Sequence, residues 1–349
     1  MKTQSDVDHL AFIRSSTEAT LRAAIGGPQD VALLDAPAQI NVGDSLIWQG
    51  QLAYMERLGH RVRYISDNQS YDPARLRKVL PDGGTVLLRG GGNFGDLWVG
   101  HQDHRERVAQ DLPDFPIVQL TQSVMFRDPA RAVQANRILG EHPSFKLLVR
   151  DDLSLERASA ALPDVPMAPA MDMALGWTPT TLDTPVGDHA LVIAREDREA
   201  GSGLAKAASE WKTWYDIEVT DWGRHARYPH RWTQALRALR LNGKARRAQR
   251  KYGRFVPTMS QRTLESSLLY LNAWNVESAV RRFHPSRAMA TDRLHAHVMA
   301  SLIGIPHVVL DNSHGKISQV FDSYTGQFSN AFYVTSPAEA FEKLTSLVT

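Results

Sequence analysis

The chain has 349 residues, 43% of them apolar, enough for two domains with cores of their own. It contains no cysteine, which excludes disulfides, thiolate metal sites and a cysteine nucleophile. The net charge of +2 conceals an imbalance: residues 222–264 hold twelve Lys or Arg and no acid, so the remainder is net acidic.

The opening MKTQSDVDHLAFIRSS is interrupted by charge and lacks a signal-peptide core. The longest uncharged stretch, 294–310, contains histidines and a proline and is too short to span a bilayer. The expectation is a soluble, cytoplasmic protein. Short apolar runs then alternate with helical patterns, the mark of βαβ units and parallel sheets. Strands are predicted over 31–36, 62–66, 85–88, 117–121 and 146–149. Helices are predicted over 45–58, 73–80, 100–111 and 129–139, and another starts at Asp151 or Asp152. Residues 163–188 hold five prolines and read as a crossover. A second unit follows, with strands over 190–194, 217–219, 287–290, 307–310 and 332–334 and helices over 261–282, 293–303 and 337–347. The expected fold is α/β, two Rossmann-like doubly wound domains over 1–180 and 181–336. A terminal helix, 337–349, packs back on the first domain in this reading.

Several strand ends carry chemistry. In NVGDSLIW, Gly43 permits a tight turn, and Asp44 or Ser45 can cap the next helix; a capped loop and a ligand loop containing Asn41 and Asp44 are both open. In LLRGGGNFGDLW, Gly90, Gly92 and Gly95 satisfy GxGxxG, yet the next strand ends Leu-Thr-Gln-Ser without the ribose-binding acid of a dinucleotide site. A neutral, hydroxyl-rich ligand held by Asn93 and Asp96 fits better, beside the alternative of a packed glycine turn.

The sharpest signal is ATDRLHAH. Arg293, Leu294 and His295 fall in the first turn of a helix, where the dipole favours anions and disfavours cations, so an arginine there points to an incoming anion. The His295/His297 pair could suggest zinc, but residues two apart on a helix face different ways and no matching ligand pattern follows; no metal site is expected. His297 and His307 read as satisfied structural histidines. Arg195 and Lys316, at neighbouring strand ends, would join Arg293 in a cationic pocket for a small anion bearing phosphate and carboxylate. In the basic segment Trp232, Leu236 and Leu239 share a helix face; a solvated helix is one reading, nucleic acid lacks a recognised fold, and an anionic membrane surface or lipid diphosphate fits the charge best.

Taken together, NVGDSLIW, LLRGGGNFGDLW, LLVRDDLSLE with APAMDMA, and DRLHAHVMASLIGIPHVVLDNSHGKIS resemble the polysaccharide pyruvyl transferase family, the last stretch its exopolysaccharide branch. The basic segment matches no motif of that family. The resemblance implies a glycosyltransferase-B-like arrangement of the domains, phosphoenolpyruvate as donor, and a sugar of a lipid-linked exopolysaccharide repeat as acceptor. The product is a cyclic pyruvate ketal on two hydroxyls, made without a cofactor. The family's Arg-Leu-His donor motif falls on Arg293, Leu294 and His295, with His295 as general acid. Arg195 and Lys316 assist at the donor. Asn41, Gly91, Gly92, Asn93 and Asp96 meet the acceptor, and Asp44 serves as base. The rivals are a nucleotide-sugar glycosyltransferase of the same architecture and a non-catalytic glycan- or lipid-binding homologue. Peripheral attachment to anionic membrane through residues 222–264, and no nucleic-acid partner, complete the expectations.

Overall fold

In the computed structural model the described residues are 2–179, 187, 189–195, 201–211, 216–221, 228–253, 256–312 and 315–349. Parts of the crossover (180–186, 188), of the basic segment (222–227, 254–255) and of the DNSHGKIS loop (313–314) lie outside them.

The first domain is built on β1 (Asp30–Leu34), β2 (Arg61–Ser66), β3 (Thr85–Leu88), β4 (Gly91–Gly95), β5 (Ile117–Met125), β6 (Phe145–Val149) and β7 (Met167–Pro169). Its strand order is β2-β1-β3-β5-β6-β7, with β4 also on β5. The second sheet holds β8 (Ala190–Ile193), β9 (Ile217–Thr220), β10 (Ala288–Thr291), β11 (His307–Val309) and β12 (Ala331–Tyr333), in the order β12-β11-β10-β8-β9. All these pairings are parallel. Helices cover both faces of such sheets, which is why β3, β8 and β10 read as unbroken buried runs rather than alternating ones. The fold is the expected two-domain, Rossmann-like α/β arrangement.

Each sheet has one place where the chain reverses direction across it. In the first, β1 is flanked by β2 and β3; in the second, β8 is flanked by β9 and β10. Ligands bind outside the carboxyl ends of strands at such points. The loops leaving β1, β3, β8 and β10 carry Asp35, Arg89, Arg195 and Arg293.

Helices α1 (Gln4–Ile25), α2 (Val42–Arg57), α3 (Pro73–Val79), α4 (Val99–Asp111), α5 (Pro129–Gly140) and α6 (Asp152–Ala161) belong to the first half. The second holds α7 (Leu204–Trp211), α8 (His230–Tyr252), α9 (Gln261–Phe283), α10 (Leu294–Ile303), α11 (Lys316–Ser323) and α12 (Pro337–Val348). Helix α1 is not among the predicted elements. Thr3 and Asp6 form a capping box at its start, and Leu10, Ile13, Thr17 and Leu21 make its buried stripe. It also reaches the second domain, where the Asp6 carboxylate accepts from the backbone N–H (2.7 Å) and hydroxyl (2.8 Å) of Ser329.

Two expectations are corrected. The terminal helix α12 does not return to the first domain: Ala340 and Leu344 are buried with Val192, Ala290 and Val308 of the second sheet. Nor can Trp232, Leu236 and Leu239 enter a membrane, because all three are buried in the core shared by the two domains. Each such burial contributes roughly 1.5–3 kcal/mol, which insertion into lipid would first have to give up. The Trp232 indole N–H also donates to Asn275 on α9 (3.1 Å). In turn α9 packs on α2, so α8 and α9 reach across to the first domain.

Candidate active site

The loops at the two reversal points meet around a cavity of about 270 Å³. One wall comes from the second domain. The α10 helix starts with Arg293 at its N-cap, and no side chain caps it. Thr291 and Asp292, just ahead of it, are engaged elsewhere: Thr291 Oγ1 accepts from the Arg293 N–H (3.1 Å), and Asp292 accepts from the Arg195 N–H (2.8 Å) and the Ser202 hydroxyl (2.6 Å). Leu294 and His295, the first two residues of α10, therefore present an uncapped helix end to the cavity. The Arg293 guanidinium is gripped in a two-point ion pair by Asp221 at the end of β9, with Nη2 2.7 Å from Oδ2. Arg195 and Lys316 line the same wall.

His295 stands where the two walls meet. Its Nε2 lies 3.4 Å from the Asp172 carboxylate, close but not aligned as a hydrogen bond. Asp172 is fully buried and paired with Arg150 at 2.7 Å. Burial opposes its charge, yet Arg150 and His295 hold its carboxyl well below the usual range. On the other side the ring lies against Gly43: a Cβ placed there would sit 2.9 Å from Nδ1. Gly43 thus yields the space for the imidazole, a role that a turn requirement does not explain.

The opposite wall comes from the first domain. The Asn41 side chain caps α2 by accepting from the Asp44 N–H (3.2 Å), and its amide donates to the Asp44 carboxylate (2.9 Å). Asp44 is further bound by Arg89, Nη1 to Oδ1 3.0 Å. Burial works against its ionisation, but Arg89 and His101 hold its carboxyl below the ordinary value. Arg89 is itself buried and bridges Asp44 and Asp35. The His101 Nδ1 is 2.9 Å from both Asp35 oxygens, so an imidazole steered by a carboxylate opens onto the cavity. Asn93 lines it too, its carbonyl accepting from Arg105 (3.1 Å) and Gln122 (3.0 Å).

A buried polar set holds this wall in place. The Ser45 hydroxyl donates to Asn272 (2.7 Å), whose amide donates to the Pro37 carbonyl (2.8 Å). Asn275 donates to Ser45 (3.0 Å) and to the Gln39 carbonyl (3.2 Å). Both asparagines come from α9, so the second half of the chain shapes the loop that carries Asn41 and Asp44.

Of the residues predicted from sequence, the cavity gathers Asn41, Asp44, Gly92 and Asn93 on one side and Arg195, Arg293, Leu294, His295 and Lys316 on the other. Two are not in its lining. Gly91 turns the chain at φ +143° behind Arg89, and a Cβ there would meet Ile47 and Arg89. Asp96 serves the first domain instead: its Oδ2 accepts the N–H groups of Arg127 (2.7 Å) and Asp128 (2.6 Å) ahead of α5. Arg89 and His101 line the cavity without having been predicted there, and so does Arg150, which the sequence offered only as part of the family-like stretch LLVRDDLSLE. His297 and His307 are buried and hydrogen-bonded to each other (2.7 Å), and His297 also to Thr325 (2.7 Å). Burial keeps both imidazoles well below the usual range, His307 at about 4. Among the described residues no group of His, Asp and Glu is disposed to hold a metal ion. Nor is any helix among them long and apolar enough to cross a membrane.

The sequence profile of the family described as "Polysaccharide pyruvyl transferase" matches residues 41–314. The chain belongs to this family. It is 28% identical over 308 residues to "Pyruvyl transferase 1" of Schizosaccharomyces pombe, covering 85% of this chain and 70% of that one. It is 28% identical over 296 residues to "Putative pyruvyl transferase EpsO" of Bacillus subtilis, covering 84% and 85% of the two chains. A crystal structure of a functionally uncharacterized Klebsiella pneumoniae protein superposes with a TM-score of 0.57 at 13% identity, covering 93% of this chain and 99% of that one; it supports the fold alone. Family membership makes this chain a pyruvyl transferase acting in polysaccharide biosynthesis.

Proposed function

We propose that the protein transfers the pyruvyl group of phosphoenolpyruvate to two hydroxyls of one sugar in an exopolysaccharide repeat, forming a cyclic ketal and releasing phosphate. The observation that carries this reading is the sharing of one cavity by a cationic wall at an uncapped helix end and a first-domain wall of hydrogen-bonding groups. The donor has a phosphate and a carboxylate. Arg293, Arg195, Lys316 and the start of α10 suit both.

His295 donates a proton to the donor's methylene carbon, which leaves C2 electron-poor. A sugar hydroxyl adds to C2 and gives up its proton. The C2–O bond to phosphate then breaks, phosphate takes the electron pair, and a second hydroxyl of the same sugar closes the ring and loses its proton. Such acid catalysis is worth about 10²–10⁴-fold. Asp172 orients the imidazole and is itself kept ionised by Arg150.

His101 is the base this geometry favours for the first hydroxyl, since Asp35 steers it and it faces the cavity. The sequence-based choice, Asp44, is bound by Arg89 and Asn41 and held below the ordinary range, which makes it a weak base. In this reading Asp44 orients Arg89 and contacts the acceptor together with Asn41, Gly92 and Asn93. The acceptor is carried on a lipid and met at the inner face of the membrane. The test is incubation with phosphoenolpyruvate and a panel of glycosides, following phosphate release and a product that gains the mass of a pyruvate ketal. Phosphate-free mixtures with every sugar, together with stabilisation by uridine or guanosine diphosphate, would favour a glycosyltransferase.

A further inference from the structure

A second chamber opens off the catalytic cavity. Its volume is about 470 Å³, and Gln39, Arg89 and His101 line both spaces. The far wall is α8, which brings Arg240, Lys244 and Arg247 to it. Positions i, i+4 and i+7 share one helix face. All three side chains are exposed, and none has a hydrogen bond or ion pair. The groove runs on past Arg247 to Arg107, Arg250 and Lys251 around Asn68 and Gln69. There burial, reinforced by Arg107, Arg246 and Arg247, lowers the Arg250 guanidinium from its usual value.

The acids nearby do not neutralise the row. Asp35 is taken by Arg89 and His101. Asp67 accepts from the Ser70 N–H (2.6 Å), and burial pushes its carboxyl up. Asp72 pairs with Arg246, which lies off this wall. A row of unpaired cations repels itself until an anion arrives. A neutral sugar leaves it unanswered, and one carboxylate answers only part of it. A diphosphate carries charge on both phosphoryl groups and enough oxygens for several donors.

We infer that this chamber is the subsite for a diphosphate borne by the acceptor, with the sugar to be modified in the cavity and the diphosphate against Arg240, Lys244 and Arg247. The assignment of the sugar rests on the pyruvyl-transfer reading; the binding of the diphosphate does not. The row faces the protein's own cleft, so the anion it meets is part of the substrate and not a membrane surface.

The test uses the full chain and the exposed triple variant Arg240→Ala/Lys244→Ala/Arg247→Ala, with phosphoenolpyruvate present to fill the donor wall. Calorimetry with inorganic pyrophosphate and with a hexose 1-diphosphate reads the subsite without turnover. Both should bind the parent chain, more weakly as salt rises, and bind the variant at least about tenfold more weakly, as expected from losing charge-assisted contacts. In turnover, the ratio of kcat/KM for the sugar diphosphate to that for the neutral glycoside should fall about tenfold or more. Equal affinities for the two proteins would overturn the inference. So would a defect confined to cosedimentation with phosphatidylglycerol vesicles, which would make the row a membrane contact. A failure of transfer to every acceptor would count against the pyruvyl-transfer reading and leave the calorimetric result to decide the subsite.

Discussion

The imidazole of His295 rests on the bare Cα of Gly43: a Cβ added there would stand 2.9 Å from Nδ1 and 3.2 Å from the histidine's own Cβ. The two residues come from different domains, from the first turns of α2 and α10. The glycine of the Asn-x-Gly-Asp turn and the histidine of the Arg-Leu-His turn are therefore two halves of one contact.

Gly43→Ala separates catalysis from folding. Alanine is a better helix former than glycine, by about 0.5–1 kcal/mol inside a helix and less in a first turn. The variant should keep its Tm or gain slightly, while the displaced imidazole lowers kcat at least tenfold. Thermal melts and steady-state kinetics on one preparation check this. Activity and stability lost in proportion would reduce Gly43 to a packing residue.

Arg293→Ala should weaken phosphoenolpyruvate binding by about 1.5–3 kcal/mol, the usual cost of losing a hydrogen bond to a charged group. Arg293→Lys should not restore it, because a lysine cannot grip Asp221 and an anion with one planar fork. Calorimetry with the donor alone gives the answer, and unchanged affinity in either variant would remove Arg293 from the donor site.

His101→Ala should lower kcat by about 10² while leaving donor affinity alone, as expected of a base acting on the acceptor. Asp35→Asn should show a weaker form of the same defect, because Asp35 steers the ring. Full activity in His101→Ala with a dead Asp44→Asn would return the base to Asp44.

Acid should loosen the clasp between α1 and the second domain. Despite its burial, hydrogen bonds from Ser329 and Thr3 bring the Asp6 carboxyl to about 2, below the value of 3.8 for a free carboxyl. A depressed folded value stabilises the protein above the unfolded one, by roughly 2 kcal/mol for such a shift, and the gain fades as pH falls from about 4 towards 2. Asp6→Asn should thus lower stability at pH 7 and lose its effect near pH 2. Denaturant titrations across that range measure it. A pH-independent difference would mean that packing, not ionisation, is what the substitution disturbs.

The parallel sheets were legible because strands buried on both faces leave unbroken apolar runs, as in β3 and β8. Arg293 was legible because a cation at a helix start contradicts the dipole. Arg89 and His101 were not, since each depends on an acid distant in sequence, Asp44 and Asp35; Arg150 and Asp172 showed only as parts of two family-like stretches, and their pairing did not show. Asp96 misled because a carboxylate after a glycine loop caps a neighbouring turn as readily as it meets a sugar, and Arg127 and Asp128 lie some thirty residues further on. The apolar face of α8 was visible, but its partner was not; periodicity cannot distinguish α9 and the first domain from lipid. The α1 stripe and its capping box are written in the sequence in the same terms, Thr3 and Asp6 ahead of Leu10, Ile13, Thr17 and Leu21.

Proton transfer to the donor's methylene carbon followed by ketal formation is open to one direct measurement. The reaction is run in heavy water with phosphoenolpyruvate and a competent acceptor, and the product is weighed by mass spectrometry while phosphate is counted. One phosphate per ketal and one deuterium in the new methyl group are expected, with both signals lost in His295→Ala. A ketal without solvent deuterium, or undiminished product from His295→Ala, would contradict this mechanism.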